Sequence, residues 1–230
     1  MLLLQRVRGW FGMIKKKALI MVDLQNDFCA GGALAVPNGD EVIPLANQLQ
    51  TYFDIVIATK DWHPQDHMSF ASNHAFVQAG DVIEIHTMSQ VLWPDHCVQD
   101  TQGAAFHPQL NTQAIDKIFY KGTDKNIDSY SAFFDNAHKR CSTALGDYLQ
   151  HLQIEDIYIM GLATDYCVKY SSLDAAHLGL NVCVIADACR GVNLKPGDVE
   201  KAFNEMRAAG IKLVHSWEIL ATNQSILMAR

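Results

Sequence analysis

Short apolar runs recur along the chain, and most are rich in β-branched residues and do not alternate with polar positions. Uninterrupted runs of this kind are typical of parallel strands that are covered on both faces. The pattern predicts five such strands and a shorter sixth one. The predicted strands are Ala18–Val22, Ile55–Thr59, Ile118–Tyr120, Ile157–Met160, Val182–Ala186 and Lys212–His215.

Segments with helical periodicity fall between these runs. The predicted helices are Asp40–Phe53, Ser142–His151, Asp165–Leu178, Gly197–Ala209 and Trp217–Gln224. Strands that alternate with helices predict an α/β fold, with a doubly wound parallel sheet and helices on both faces. The long region Asp61–Lys117 is rich in His and Pro and weakly periodic, so we expect an elaborated surface region there and not a second domain.

Composition narrows the class of protein. Of 230 residues, 49% are hydrophobic and 19% are charged, so the chain can bury a large core. A formal net charge of −7 argues against nucleic acid as a partner. Apolar stretches such as Ile157–Ala163 are far shorter than the roughly 20 residues that cross a bilayer, so we expect no membrane span. Arg6 and Arg8 interrupt the apolar N-terminus, which argues against a signal peptide. The six cysteines are too sparse for a fold held together by disulfides. Together these features predict a reduced, cytoplasmic protein.

Three reactive side chains lie at or just after the ends of predicted strands, where ligands bind in open α/β sheets. Cys167 begins a predicted helix, whose dipole would lower the thiol pKa. Lys121 would add a positive charge, and Asp23 would accept the thiol proton. The backbone N–H groups of Ala163 and Cys167 would stabilise an oxyanion. Together these residues predict acyl transfer to water.

Each of these residues also has a simpler interpretation. A helical cysteine is most often a small buried hydrophobe, Asp23 could cap the segment that follows it, and Lys121 could be solvated.

A second group of residues has the character of a metal site. Asp61 and His63 are spaced so that an extended segment puts both side chains on one side, and His96 comes from a separate loop. Such a set of nitrogen and oxygen donors suits zinc, iron or manganese. His67 lies in the same loop as His63. Three roles are open for it: a metal ligand, a partner of a ligand or an exposed residue.

Aromatic residues flank both groups and could sandwich a flat ring, with ordinary packing beneath loops as the alternative. They are Phe28, Trp93, Tyr130 and Tyr166.

Five ordered segments resemble the nicotinamidases of the isochorismatase-like cysteine hydrolases. They are Met21–Phe28 (MVDLQNDF), Asp61–Pro64 (DWHP), Trp93–Cys97 (WPDHC), Phe119–Gly122 (FYKG) and Gly161–Val168 (GLATDYCV). The resemblance implies one isochorismatase-like hydrolase domain over residues 16–230, preceded by an N-terminal extension of residues 1–15. It also implies a six-stranded parallel sheet in a three-layer, Rossmann-like arrangement.

For function, the resemblance implies hydrolysis of nicotinamide to nicotinate and ammonia in NAD salvage, with activity on pyrazinamide as well. Cys167 would be the nucleophile, Asp23 would accept its proton and pass it to the departing ammonia, and Lys121 would complete the triad. Ala163 and Cys167 would form the oxyanion hole, next to a cis peptide bond between Leu162 and Ala163.

The resemblance also implies the ligands of one divalent metal ion, with zinc as the first choice and iron or manganese as alternatives. Asp61, His63 and His96 match these ligands, and the ion would bind the pyridine nitrogen and orient the ring. Whether His67 is a fourth ligand stays open. The positions that contact the ring in the family match Phe28, Trp93 and Tyr130.

Several alternatives remain at this point. A related amidase would keep the triad without the metal, and an isochorismatase would lack the thiol nucleophile. A zinc hydrolase could use Asp61, His63 and His96 to activate water, with Cys167 as a structural residue. A binding protein without activity would need no triad. The expected partner is a small-molecule substrate, nicotinamide, and the oligomeric state is open between a monomer and a homodimer.

Overall fold

A computed structural model describes residues 15–85, 88–137 and 140–221. Its strands, in chain order, are β1 (Lys17–Val22), β2 (Ile55–Asp61), β3 (Val82–Ile85), β4 (Met88–Val91), β5 (Lys117–Lys121), β6 (Asp156–Leu162), β7 (Asn181–Arg190) and β8 (Lys212–Val214). Six of them form one parallel sheet in the order β5-β2-β1-β6-β7-β8. The predicted fold class and the six-stranded parallel sheet are therefore confirmed.

All six predicted strands are present, and the observed boundaries differ mainly in β7. This strand extends to Arg190, because a register shift after Ile159 in β6 lets pairing resume between Gly161 and Cys189. The central strand β1 is completely buried from Ala18 to Val22, as expected for a strand with helices on both faces.

The helices are α1 (Val42–Leu49), α2 (Leu145–His151), α3 (Lys169–His177) and α4 (Asp198–Ala208). The predicted helix over residues 40–53 is an α-helix of eight residues flanked by two 3₁₀ turns, Gly39–Glu41 and Gln50–Tyr52. The segment before α3 is a π-helical turn, Thr164–Val168. Residues 216–221 are helical, and the rest of the last predicted helix, to Gln224, lies outside the described residues.

The region between Asp61 and Lys117 is more ordered than the sequence predicts. It contains an antiparallel hairpin of β3 and β4, which periodicity did not reveal. It also buries Phe70 and Leu92 completely, so this region contributes to the interior and is not only a surface elaboration. The four-residue strands are too short for their alternation to be recognised.

None of the helices in the described ranges has the length and apolar character that a membrane-spanning segment requires.

Candidate active site

The carboxyl ends of three strands bring together the side chains that were predicted as a triad. Asp23 directly follows β1, Lys121 ends β5, and Cys167 lies in the turn after β6. The Lys121 ammonium nitrogen is 2.8 Å from Asp23 Oδ2 and 3.3 Å from Cys167 Sγ. Because β2 separates β5 from β1, only a long side chain such as lysine can span this distance.

The charges of this group are enclosed in the protein, since Asp23 and Lys121 are 0% exposed and Cys167 is 5% exposed. Burial alone would lower the pKa of Lys121, but Asp23 and Asp61 hold it well above its usual value. Burial raises the pKa of the Asp23 carboxyl, and Lys121 opposes this shift. Lys121 is therefore a permanent cation between two carboxylates.

The expected lowering of the Cys167 pKa is wrong for the resting protein. Burial raises the pKa of this thiol well above its usual value, Lys121 opposes this shift, and the carboxylates of Asp23 and Asp61 add to it. The thiol is therefore neutral at rest, and its activation requires a proton acceptor in contact with it.

Thr59 positions the Asp23 carboxylate, and sequence analysis did not identify it. Its hydroxyl donates to Asp23 Oδ1 at 2.6 Å and accepts from the Asp23 backbone N–H at 3.2 Å. Thr59 lies two residues before Asp61 on β2, so both side chains are on the same face of the strand. The two-residue spacing between Thr59 and Asp61 was the sequence signal that could have identified Thr59.

The turn that carries Cys167 begins at a cis peptide bond between Leu162 and Ala163, as the resemblance implied. The carbonyl of Ala163 accepts from the N–H groups of Tyr166 and Val168, both at 3.1 Å. These bonds fold the π-helical turn back on Ala163 and bring this residue and Cys167 to the same cavity.

The predicted metal ligands also meet, next to the triad. Asp61 Oδ2 is 3.5 Å from His63 Nε2 and 3.7 Å from His96 Nε2. Lys121 contacts the other carboxylate oxygen of Asp61 and thus joins the two groups. Although burial alone would raise the pKa of Asp61, Lys121 and His63 hold it well below its usual value.

Backbone carbonyls orient both histidine rings. His63 Nδ1 lies 2.8 Å from the carbonyl oxygen of Gly122, and His96 Nδ1 lies 2.8 Å from that of Pro94. A proton on each Nδ1 leaves the Nε2 lone pairs directed at Asp61, which is the arrangement of metal-binding histidines. Gly122 permits this approach, because a Cβ there would lie 2.3 Å from His63 Cε1.

His67 is completely buried beside this set, so it is not an exposed residue. Its ring centroid is 4.2 Å from that of His63, and Nδ1 is 2.7 Å from Ser69 Oγ. Nε2 has no hydrogen-bond partner among the described residues. Burial, together with the charge of His63, lowers the pKa of His67 to about 4, so the ring is neutral. His63, His67 and the Asp128 carboxylate form a second convergent set of donors.

An aromatic cavity opens directly onto Cys167. All three predicted ring contacts line it, and Tyr130 and Tyr166 meet edge to face with centroids 5.2 Å apart. Trp93 Nε1 donates to the Tyr130 hydroxyl at 3.2 Å. The cavity is lined by Phe28, Leu34, Asp61, His63, Trp93, His96, Asp128, Tyr130, Ala163, Tyr166, Cys167 and Val192. Its aromatic lining suits a flat ring, and the same lining contains a thiol together with nitrogen and oxygen donors.

A family model described as an isochorismatase domain matches residues 17–218. The chain belongs to the isochorismatase family. The nicotinamidase of Escherichia coli strain K12 is 51% identical over 208 residues, which cover 88% of this chain and 97% of that protein. A solved structure of an Acinetobacter baumanii nicotinamidase pyrazinamidase is 43% identical, with a TM-score of 0.86 over 90% of this chain and 99% of that one. A Pyrococcus horikoshii pyrazinamidase, solved in complex with zinc, is 38% identical with a TM-score of 0.71 and covers 87% of this chain and 99% of that one.

Some cavity residues of this isochorismatase-family chain escaped sequence analysis. Leu34, Asp128 and Val192 all lie in loops, where neither periodicity nor a motif marks them. Val192 follows β7 by two residues, so the rule that ligands bind beyond strand ends would have found it if the end of β7 had been placed correctly.

Cys29 belongs to a second group of potential donor residues, outside the candidate active site. Its sulfur lies near the Asp40 carboxylate and the His107 ring, and burial together with Asp40 raises the pKa of the thiol to about 11. However, His107 Nδ1 accepts from Gln109 N–H at 3.3 Å, so Nε2 carries the hydrogen and donates to Asp40 at 3.3 Å. That nitrogen has no lone pair for a metal ion in this arrangement.

Proposed function

We propose that this chain hydrolyses nicotinamide to nicotinate and ammonia. The observation that carries the proposal is the convergence of Asp23, Lys121 and Cys167 on one aromatic cavity that also contains the donors of Asp61 and His63. Membership of the isochorismatase family and 51% identity to a nicotinamidase support the same reaction. The product nicotinate would enter NAD salvage.

In the first half of the reaction, Asp23 takes the proton of the Cys167 thiol while Sγ attacks the amide carbon. The N–H groups of Ala163 and Cys167 stabilise the oxyanion of the tetrahedral intermediate. Asp23 then donates its proton to the amide nitrogen, the C–N bond breaks, and ammonia leaves a thioester on Cys167. The raised pKa of Asp23 suits a group that must both accept and return a proton.

In the second half, a water molecule attacks the thioester and gives its proton to Asp23. The C–S bond breaks, the proton returns to Cys167, and nicotinate is released. Lys121 stays protonated throughout, because the carboxylates of Asp23 and Asp61 hold its pKa well above its usual value. Its role is to balance the charge of Asp23 when the carboxylate is ionised.

The donor set fits one divalent metal ion. The carboxylate of Asp61 and the Nε2 atoms of His63 and His96 converge, and both histidine tautomers are set by backbone carbonyls. Zinc is the preferred ion for two imidazoles and a carboxylate, with iron or manganese as alternatives. When bound, the ion supplies a Lewis acid that holds the pyridine nitrogen.

Phe28, Trp93 and Tyr130 contact the faces and edges of the ring in this proposal. In this proposal a flat heteroaromatic amide binds with its carbonyl carbon near Cys167 and its ring nitrogen toward Asp61, and the presence of both residues in the lining of one cavity supports this orientation. Pyrazinamide has the same outline and the same ring nitrogen, so we include it as a second substrate. We also propose that residues 16–230 form a single domain.

The direct test is ammonia release from purified protein given nicotinamide, with and without a chelator. Benzamide, which has the same shape but lacks the ring nitrogen, is the control substrate. We expect the metal-loaded protein to prefer nicotinamide by at least about tenfold, and the preference to shrink after chelation. Equal rates on both amides with metal bound would contradict the role given to the ring nitrogen, and no ammonia from nicotinamide would contradict the proposal as a whole.

A zinc hydrolase that activates water is the competing mechanism. Thiol alkylation of metal-loaded protein separates the two mechanisms. We expect alkylation of Cys167 to abolish activity while the metal content stays constant, whereas a water-activating enzyme would keep its activity.

A further inference from the structure

Asp165 is a buried carboxylate that the proposed mechanism does not use. It lies two residues before Cys167 in the turn Thr164–Val168, and only 4% of it is exposed. Its two oxygens accept from consecutive backbone N–H groups of the loop after β7, at 2.9 Å from Val192 and 2.7 Å from Asn193. This carboxylate therefore ties the turn of the nucleophile to a loop from another part of the chain.

The loop is built to receive this carboxylate. A Cβ at Gly191 would lie 2.9 Å from Asp165 Oδ1 and 2.3 Å from Val199 Cγ2, so only glycine allows the close approach. Asn193 has a φ of 56°, in the left-handed region, at the point where its N–H donates to the same carboxylate. Two successive N–H groups around one anion form the concave arrangement known from backbone anion sites.

Val192 connects this anchor to the substrate cavity. This residue lines the cavity together with Tyr166 and Cys167. The turn itself is also held by its own backbone bonds to Ala163 and by its continuation into α3. Residues 191–193 belong to no helix or strand. The position of this loop therefore depends more strongly on Asp165 than the position of the turn does.

We propose that Asp165 is a positioning residue that fixes Val192 as a wall of the ring pocket at a set distance from Cys167. This inference rests on the proposed function of the cavity. Loss of the anchor would loosen the wall and weaken substrate binding, while the triad and its contacts remain in place. The effect would thus appear in KM and not in kcat.

The test compares Asp165→Asn, Val192→Ala and the double variant with the unmodified chain. An asparagine has the same shape but offers one acceptor oxygen, so one of the two N–H groups loses its partner. We expect KM for nicotinamide to rise by about fivefold or more in Asp165→Asn, with kcat changed by less than about twofold. The effects of the two single changes should not add, because Asp165 acts through Val192.

Asp187→Asn is the matched control. Asp187 also accepts two hydrogen bonds from a neighbouring segment, from the N–H of Ser216 at 2.8 Å and from its hydroxyl at 2.5 Å, but it does not line the cavity. We expect this variant to lose thermal stability without a change in KM. Equal changes in KM for both variants would overturn the inference, as would a lower kcat at constant KM in Asp165→Asn.

Hydrogen exchange gives a measurement that does not depend on activity. The backbone amides of Val192 and Asn193 should lose protection in Asp165→Asn and keep it in Asp187→Asn. Unchanged protection at both amides would overturn the anchor even if the chain is a nicotinamidase. An unmodified chain that releases no ammonia from nicotinamide would instead refute the proposed function, and the exchange result would still decide whether Asp165 holds the loop.

Discussion

The two halves of the candidate site are built in different ways. In the triad half, Lys121 contacts Asp23 and Cys167 directly, and Asp23 and Lys121 are inaccessible to solvent. In the metal half, His63 and His96 lie outside the central sheet, and backbone carbonyls hold their rings. The triad therefore depends on charge balance between side chains, while the metal half depends on the course of loops. Each half should respond to a different kind of substitution.

Replacement of the nucleophile should have the largest effect. Cys167→Ala removes the atom that forms the thioester, so we expect kcat for nicotinamide to fall by at least about 10⁴-fold. The metal content should stay the same, because the metal half does not depend on the thiol. Cys189→Ala is the control, since Cys189 is a buried cysteine whose sulfur contacts the carbonyl of Ile185 and not the cavity. Ammonia release by Cys167→Ala at more than a hundredth of the normal rate would contradict the assignment.

Removal of the central cation should mainly affect stability. Lys121→Met leaves Asp23 and Asp61 buried without their partner, and breaking a buried ion pair in this way costs about 3–5 kcal/mol of unfolding free energy. Urea denaturation of the chelated protein measures this cost. Metal loading should reduce it, because an ion at Asp61 would balance one of the two carboxylates.

Lys60→Met is the matched control for that experiment. Lys60 is also buried and lies on the neighbouring strand, but it contacts the rings of Trp62 and Phe106, and no carboxylate within the described ranges forms an ion pair with it. A methionine there should change the unfolding free energy much less. Equal losses of unfolding free energy in Lys121→Met and Lys60→Met would show that charge balance does not make the triad half more sensitive than other buried positions.

The metal half should be more sensitive to loss of a single ligand. His63→Ala removes one of three donors, so we expect the bound metal to be lost and kcat/KM for nicotinamide to fall by about 100-fold or more. Metal analysis of the purified variant and steady-state kinetics measure these effects. His151→Ala, on the exposed side of α2, should change neither. Full metal occupancy in His63→Ala would exclude His63 as a ligand.

The same contrast explains which features the sequence predicts. Asp23, Asp61 and Lys121 could be predicted to meet because parallel strands bring their carboxyl ends to one edge of the sheet. The burial of His67 could not be predicted, since this residue lies in a loop whose course no periodic pattern specifies. The cavity position of Val192 was missed because the predicted end of β7 came four residues too early.

The thiol pKa was predicted in the wrong direction for a related reason. A helix start lowers the pKa of a cysteine by a local effect, which can be inferred from neighbouring residues. The opposing effect comes from burial and from Asp23 and Asp61, which are distant in sequence. The pKa of Cys167 is thus decided by burial and by charges that are distant in sequence. Neither effect can be inferred from the residues next to Cys167.

The smallest effect should come from the aromatic wall between the two halves. Tyr130→Phe removes the hydroxyl that accepts from Trp93 Nε1 at 3.2 Å and from Gln90 Nε2 at 3.4 Å. Burial, followed by the charge of Asp128, raises the pKa of Tyr130 well above its usual value, so a neutral phenol is lost at any working pH. Trp93 would then lose a hydrogen-bond partner that holds its indole ring in the wall of the cavity. We expect KM for nicotinamide to rise by about threefold at constant kcat, because this contact serves ground-state and transition-state binding equally.

Tyr120→Phe is the control for this wall, because Tyr120 is a 44% exposed residue on β5 outside the cavity. Loss of the Tyr120 hydroxyl should leave KM for nicotinamide unchanged. If Tyr130→Phe instead lowers kcat and leaves KM unchanged, the hydroxyl acts on the transition state, and the wall belongs with the triad half. If it lowers the metal content, the wall belongs with the metal half, because Tyr130 is linked through Gln90 to Asp128, which lies near His63. If Tyr130→Phe changes only KM for nicotinamide, the ring contacts act independently of the triad and of the metal ligands.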